Sequence, residues 1–71
     1  MTDSVYKVIE LVGTSAESWE KAAAAAVAEA GKTIKNLRIG EITKLDMKIE
    51  DGKVLAYRAR VNLSFKIERG V

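Results

Sequence analysis

The sequence predicts an α+β layer, one helix packed on a three-stranded antiparallel sheet, with the elements in the order strand, helix, strand, strand. Three observations carry this expectation. Residues 5–12 are rich in β-branched and large apolar side chains, an alanine-rich stripe of helical period follows, and two long alternating runs are joined by Asp51-Gly52. At 71 residues the chain makes one domain, 1–71.

In the first run, VYKVIELV, Val5, Val8, Ile9, Leu11 and Val12 supply the strand character, and Gly13-Thr14-Ser15 is expected to break it. Thr14-x-x-Glu17 reads as a capping box. The hydroxyl accepts an orphan helical N–H, and the glutamate reaches back to the cap while its charge suits the helix dipole. In the helix Trp19, Ala23, Ala26 or Val27, Ala30, Ile34 and Leu37 recur at three- and four-residue steps. This stripe runs through Gly31, so the helix is expected to continue past it. The alternative ends the helix at Gly31 as a C-cap. Trp19, the single tryptophan, lies on the stripe and reads as packing. The alanine run at 22–26 is helix-forming and lets another backbone approach closely.

Residues 38–49 and 54–67 form the two long strands. Asp51-Gly52 between alternating runs signals a two-residue hairpin loop, because a type I′ turn needs positive φ at both central positions. Counting back from that loop sets Glu50 opposite Lys53, Asp46 opposite Tyr57, Ile42 opposite Val61 and Ile39 opposite Ser64. Ile42, Val61, Leu63 and Phe65 then share the helix-bearing face, with Gly40 opposite Leu63. The other face carries Ile39, Glu41, Thr43, Leu45 and Met47 opposite Arg58, Arg60, Asn62 and Ser64. Such a mixture of aliphatic and charged groups suits a subunit interface or a shallow ligand site. The simplest antiparallel arrangement puts the C-terminal strand in the middle, leaving two open edges without proline to blunt them.

A domain this small is marginal and needs a staple. With no Cys and no His, neither a disulfide nor a tight zinc site is available, which leaves self-association. The net charge of +2 comes from interleaved signs, with four aromatic residues (one Trp, two Tyr, one Phe), and this argues against nucleic acid as a partner. No apolar run approaches a membrane span and no signal-peptide core is visible, which fits a cytoplasmic protein. No nucleophile–base pair marks an enzyme. Of ten carboxylates, Glu41 stands out on the mixed face across from Asn62, as an ion-pair partner of Arg60 or a ligand contact. One subunit shows no calcium-loop spacing, but a symmetry axis repeats a carboxylate. Glu17, Asp46 and Glu50 are the metal candidates on that ground.

The segments VYKVIELVGTSAESWEKA (5–22), NLRIGEI (36–42) and YRARVNLSFKI (57–67) resemble the dodecins, small flavin-binding proteins of strand–helix–strand–strand subunits that assemble as hollow dodecamers. The resemblance covers nearly the whole chain without gaps and implies a homododecamer. It also implies a flavin pocket at Ile39, Glu41 and Arg58. The family's flavin-stacking tryptophan falls on Ile39, which offers apolar contact without the ring that is worth about 1–3 kcal/mol in stacking. Arg58 falls where the family places a donor to the flavin's polar edge. The expected function is therefore non-enzymatic binding of a divalent cation, calcium, in place of flavin. Weakened riboflavin or FMN binding is the alternative, and an assembly scaffold without a ligand is the second.

Overall fold

The structure, a computed structural model, describes residues 3–67. Its elements are β1 (Tyr6–Ser15), α1 (Trp19–Gly31), β2 (Leu37–Glu50) and β3 (Lys53–Lys66). The sheet order is β1-β3-β2 with both pairs antiparallel, so β3 is central and β1 and β2 are open edges, as expected. Helix and sheet form the two layers around a small core of Ala22, Ala26, Ala30, Ala59, Val61 and Leu63.

That core is built from short side chains because the backbones approach closely. Gly13 of β1 is buried, and a Cβ there would collide with the backbone carbonyl of Ala22. The buried helical stripe is therefore Ala22, Ala26 and Ala30, while Ala23 is half-buried and Val27 exposed. Trp19 is only half-buried at the helix start. Its ring meets Tyr57 edge-on at 5.0 Å, and Nε1 donates to the Asp46 carbonyl at 3.1 Å. It packs, as expected, but as a clasp between the helix and the β2–β3 arm.

Both helix ends differ from the sequence expectation. Gly13, Thr14 and Ser15 continue the ladder opposite Ala59, Arg58 and Tyr57, so the backbone of Thr14 is extended in β1 and cannot cap. The turn is made by Ser15, whose Oγ accepts from the amides of Glu17 and Ser18. Ser18 is the N-cap, accepting from Lys21 N at 3.1 Å. Glu17 pairs with Lys21 instead of reaching back to a cap. At the other end α1 stops at Gly31, and the amides of Thr33 and Ile34 both bond the Ala30 carbonyl. β-Branched Thr33 and Ile34 are weak helix formers, and Asn36 adopts a positive φ of 66°, which the helix cannot. Ile34 and Leu37 still pack on the core, from the connection and from β2.

The hairpin loop is as expected, with positive φ at Asp51 (51°) and Gly52 (75°). The register is not uniform. Glu50–Lys53, Ile42–Val61 and Ile39–Ser64 pair as counting predicts, but the ladder shifts between Lys48 and Ile49, between Ile42 and Lys44, and between Leu37 and Ile39. Leu55 is extra on β3 and Thr43 extra on β2. Between these two bulges β2 is displaced by one residue, so Asp46 lies opposite Arg58, not Tyr57, and Met47 takes Tyr57. Because directly opposed residues share a face, Leu45 and Met47 move to the helix side with Ala59 and Tyr57. Ile42 lies on the helix side but stays 51% exposed, beyond the reach of the helix.

Two glycine substitutions test the packing. Gly13→Ala is expected to cost roughly 1–3 kcal/mol or more, since β1 or α1 must shift. Gly31→Ala meets nothing within 4 Å and is expected to be neutral or to stabilise by about 0.4–1 kcal/mol. Urea denaturation of the two variants beside the parent protein checks both signs.

Candidate functional site

The face of the sheet away from the helix is a polar ladder. Central strand β3 presents Arg58, Arg60, Asn62 and Ser64 there, opposite Asp46, Lys44, Glu41 and Ile39 of β2 and Thr14, Val12, Glu10 and Val8 of β1. Ile39 is 61% exposed, and Glu41 faces Asn62. The mixed face expected from the sequence is thus present with Ile39 and Glu41 but without Leu45 and Met47. In their place it carries Lys44, Asp46 and Lys48.

The bulges bring together two candidate residues from different roles. Arg58 Nε donates to Asp46 Oδ1 at 2.6 Å and Nη2 donates to Oδ2 at 2.8 Å, a bidentate pair on a half-exposed surface. The guanidinium hydrogen bonds hold the Asp46 carboxyl below its ordinary value of 3.8, opposed by desolvation, with lesser attraction from the Arg58 and Arg60 charges. The same hydrogen bonds raise Arg58. Trp19 fixes the backbone of Asp46 from the opposite side of the sheet.

The other candidates stay apart. Ile39 and Arg58 are six residues apart along β3 by register, roughly 20 Å. Ile39, Glu41 and Arg58 therefore cannot contact one small ligand within one chain. Glu17 sits at the helix start, paired with Lys21, and Glu50 at the hairpin tip opposite Lys53. Among the described residues no three His, Cys, Asp or Glu side chains gather around a common metal position; Glu68 lies outside the described residues. Beside Ile39 a shallow apolar groove of about 130 Å³ is lined by Val27, Leu37, Gly40 and Leu63. Sequence reasoning missed Lys44 and Lys48 as members of this face, because the uniform count placed them on the other side. No residue type announces the bulge at Thr43.

A single helix on one side of a three-stranded sheet, with a charged ladder on the other side and bare edges, defines a small α+β layer protein. The family model described as Dodecin matches residues 5–68. A protein named calcium dodecin from Mycobacterium tuberculosis is 41% identical over 64 residues, covering 90% of each chain. A solved structure of a calcium dodecin from the same organism, described as calcium chelating, matches with a TM-score of 0.81 at 40% identity, covering 96% of this chain and 97% of that one. A dodecin from Thermus thermophilus is 39% identical over 64 residues, 90% of this chain and 93% of the relative. The structure of dodecin from Streptomyces coelicolor has a TM-score of 0.91 at 34% identity, covering 99% and 100% of the two chains. The chain belongs to the dodecin family. Among its described residues no helix is long and apolar enough to cross a membrane.

The depressed Asp46 value sets the sign of a pH effect. The stability that this pair contributes is complete above the ordinary carboxylate value and is lost as pH falls through the lowered folded value. Carbon-detected NMR of the side-chain carboxyl is expected to place the Asp46 midpoint below 3.8, and Arg58→Gln is expected to move it back up. An unmoved midpoint in Arg58→Gln would show that the pair does not form in solution.

Proposed function

We propose that this dodecin is a non-enzymatic binding protein that works as a homododecamer and binds a divalent cation, calcium, in place of a flavin. The observation that carries the reading is Ile39, exposed on the sheet face at the position where the family resemblance puts the stacking tryptophan. An aliphatic side chain there gives a flavin contact area but no aromatic platform. The relationship to a protein named calcium dodecin supports the cation.

Assembly is supported by what one chain leaves bare. The 13-residue helix covers roughly 20 Å, while the 14-residue strands extend about 45 Å. Ile42 and Leu45, beside the helix on the edge strand, and Met47, Ile49 and Val54, toward the hairpin tip, are exposed. Surface of this kind suits burial against further copies.

Calcium takes six to eight oxygens, more than one chain brings together, so its ligands would come from the same acids repeated around an axis. Of the candidate donors, Glu50 at the hairpin tip, beside Asp51, has no ion pair among the described residues, and Glu17 at the helix start is held by the exposed Lys21. Asp46 would have to give up both hydrogen bonds from Arg58. The second reading, weak flavin binding, draws on the apolar groove beside Ile39.

Isothermal titration of the metal-free protein with calcium is expected to give binding heat and a raised melting temperature, both reduced in Glu50→Gln or Glu17→Gln. Absence of heat and of a melting shift would end the calcium reading. Flavin binding is checked separately by fluorescence quenching of riboflavin. Ile39→Trp is expected to strengthen it about tenfold or more, the equivalent of one stacked ring. Strong quenching by the unsubstituted protein at low micromolar ligand would favour the second reading.

A further inference from the structure

The tip of the β2–β3 hairpin is cut off from the rest of the sheet. Two pairs, Glu50–Lys53 and Ile49–Val54, close the Asp51-Gly52 loop, and the Leu55 bulge separates them from the ladder below. The helix meets this arm further down, through Trp19 at Tyr57 and at the Asp46 carbonyl. Residues 50–53 are exposed, and the described residues show no ion pair from any of them. A unit this small, with its backbone bonds open to water, opens without the rest of the fold.

Asp-Gly is also a chemically reactive pair. Glycine has no Cβ to shield its nitrogen. In a two-residue loop the turn bond is donated by the Lys53 amide, which leaves the Gly52 amide unclaimed by the turn. Attack of the Gly52 nitrogen on Asp51 Cγ forms a C–N bond. The amide proton and the carboxyl hydroxyl leave as one water, and a five-membered succinimide results. Water then opens the ring. Opening at the Asp51 main-chain carbonyl leaves the chain running through Cβ and Cγ, an isoaspartyl residue with a free α-carboxylate. One water is released and one consumed, and no oxidant or reductant is needed.

The folded turn opposes the first step. Ring closure needs Asp51 Cβ and the Gly52 nitrogen on the same side of the Asp51 Cα–C bond. Asp51 has φ of 51° and Gly52 75°, the signs of a type I′ turn. Such a turn sets ψ of its first central residue to about +30°, which puts that nitrogen nearly opposite Cβ.

We propose that Asp51–Gly52 is a self-modifying site gated by the hairpin: in the closed loop it is inert, and in the opened loop Asp51 passes through a succinimide to isoaspartate. The product has one more methylene in the main chain of a loop that fits only two residues. It no longer sets Glu50 opposite Lys53, the pair from which the register of β2 begins. Modification therefore falls on chains that stay open and keeps them from regaining this ladder. The free α-carboxylate suits carboxyl methylation, the class of reaction that returns such a residue to the succinimide. None of this rests on the calcium reading.

The test is incubation of the full chain at physiological temperature and neutral pH, folded and unfolded in guanidinium, with a chelator so that no metal acts at the tip. Trypsin releases Ile49–Lys53, whose isoaspartyl form has the same mass and a different retention. Labelling by an isoaspartyl carboxyl methyltransferase with S-adenosylmethionine confirms it. Isoaspartate is expected in the unfolded chain and about tenfold or more slowly in the folded protein, the ratio following the opening equilibrium of the tip. Asp51→Asn suits the same turn and reaches the same succinimide by loss of ammonia, so its mass gain is expected to give a similar ratio. The purified isoaspartyl chain is expected to unfold at lower urea than the parent. Equal rates in the folded and unfolded protein overturn the proposal. So does an unfolded chain that forms no isoaspartate, or an isoaspartyl chain that regains the parent's urea midpoint.

Discussion

The structure depends on a one-residue slip of β2 against β3, opened by Leu55 and closed by Thr43. Side chains on a strand alternate between faces, so a slip of one exchanges the faces of every residue within it. Leu45 and Met47 are carried to the helix side, where they extend the apolar surface beside the start of the helix. Lys44, Asp46 and Lys48 are carried to the open side, where they meet Arg58 and Arg60. The apolar arm and the charged ladder are two consequences of the same two bulges. The Trp19–Asp46 hydrogen bond and the Trp19–Tyr57 contact tie that displaced segment to the start of the helix.

The layer beneath it is held by close backbone approach and not by large side chains. Gly13 against Ala22, and Ala22, Ala26 and Ala30 against Ala59, Val61 and Leu63, bring helix and sheet nearer than leucines would allow. The consequence is a core of modest area, with most large apolar residues left on the surface of the single chain. Unspent apolar area and two unpaired strand edges of this kind are the features that further copies cover in the proposed assembly.

Opposite charges gather in different parts of the subunit. The acids at the hairpin tip and helix start are few and lie apart within one chain. The cations of the ladder are concentrated on one face of one subunit, where Arg58 holds the Asp46 carboxylate in a bidentate pair. The position that would define a flavin pocket holds Ile39, and by register it lies far from Arg58 in the same chain. Ligand contact that used both would have to cross between copies.

Much of this was legible in the residues. Composition and period fixed the class: alternation gave the strands, Asp51-Gly52 gave the hairpin and its two positive φ values, and the alanine run gave a helix with a small-residue face. The absence of Cys and His removed disulfides and zinc, and the segments at 5–22, 36–42 and 57–67 identified the family. Ile39 and Glu41 were found on the expected face because outside the bulges the register follows the count, and Arg58 because β3 keeps its alternation from Tyr57 to Phe65. What only the tertiary structure decided is where the ladder slips and which signals win. Thr14-x-x-Glu17 lost to Ser18 because pairing with β3 keeps Thr14 extended, and the helical stripe ended at Gly31 although Ile34 and Leu37 still reach the core. Bulges at Thr43 and Leu55 follow from how three twisted strands fit under one helix, a balance of many contacts between distant residues. No local pattern encodes that balance, and through it Asp46 is opposed to an arginine and not to a tyrosine.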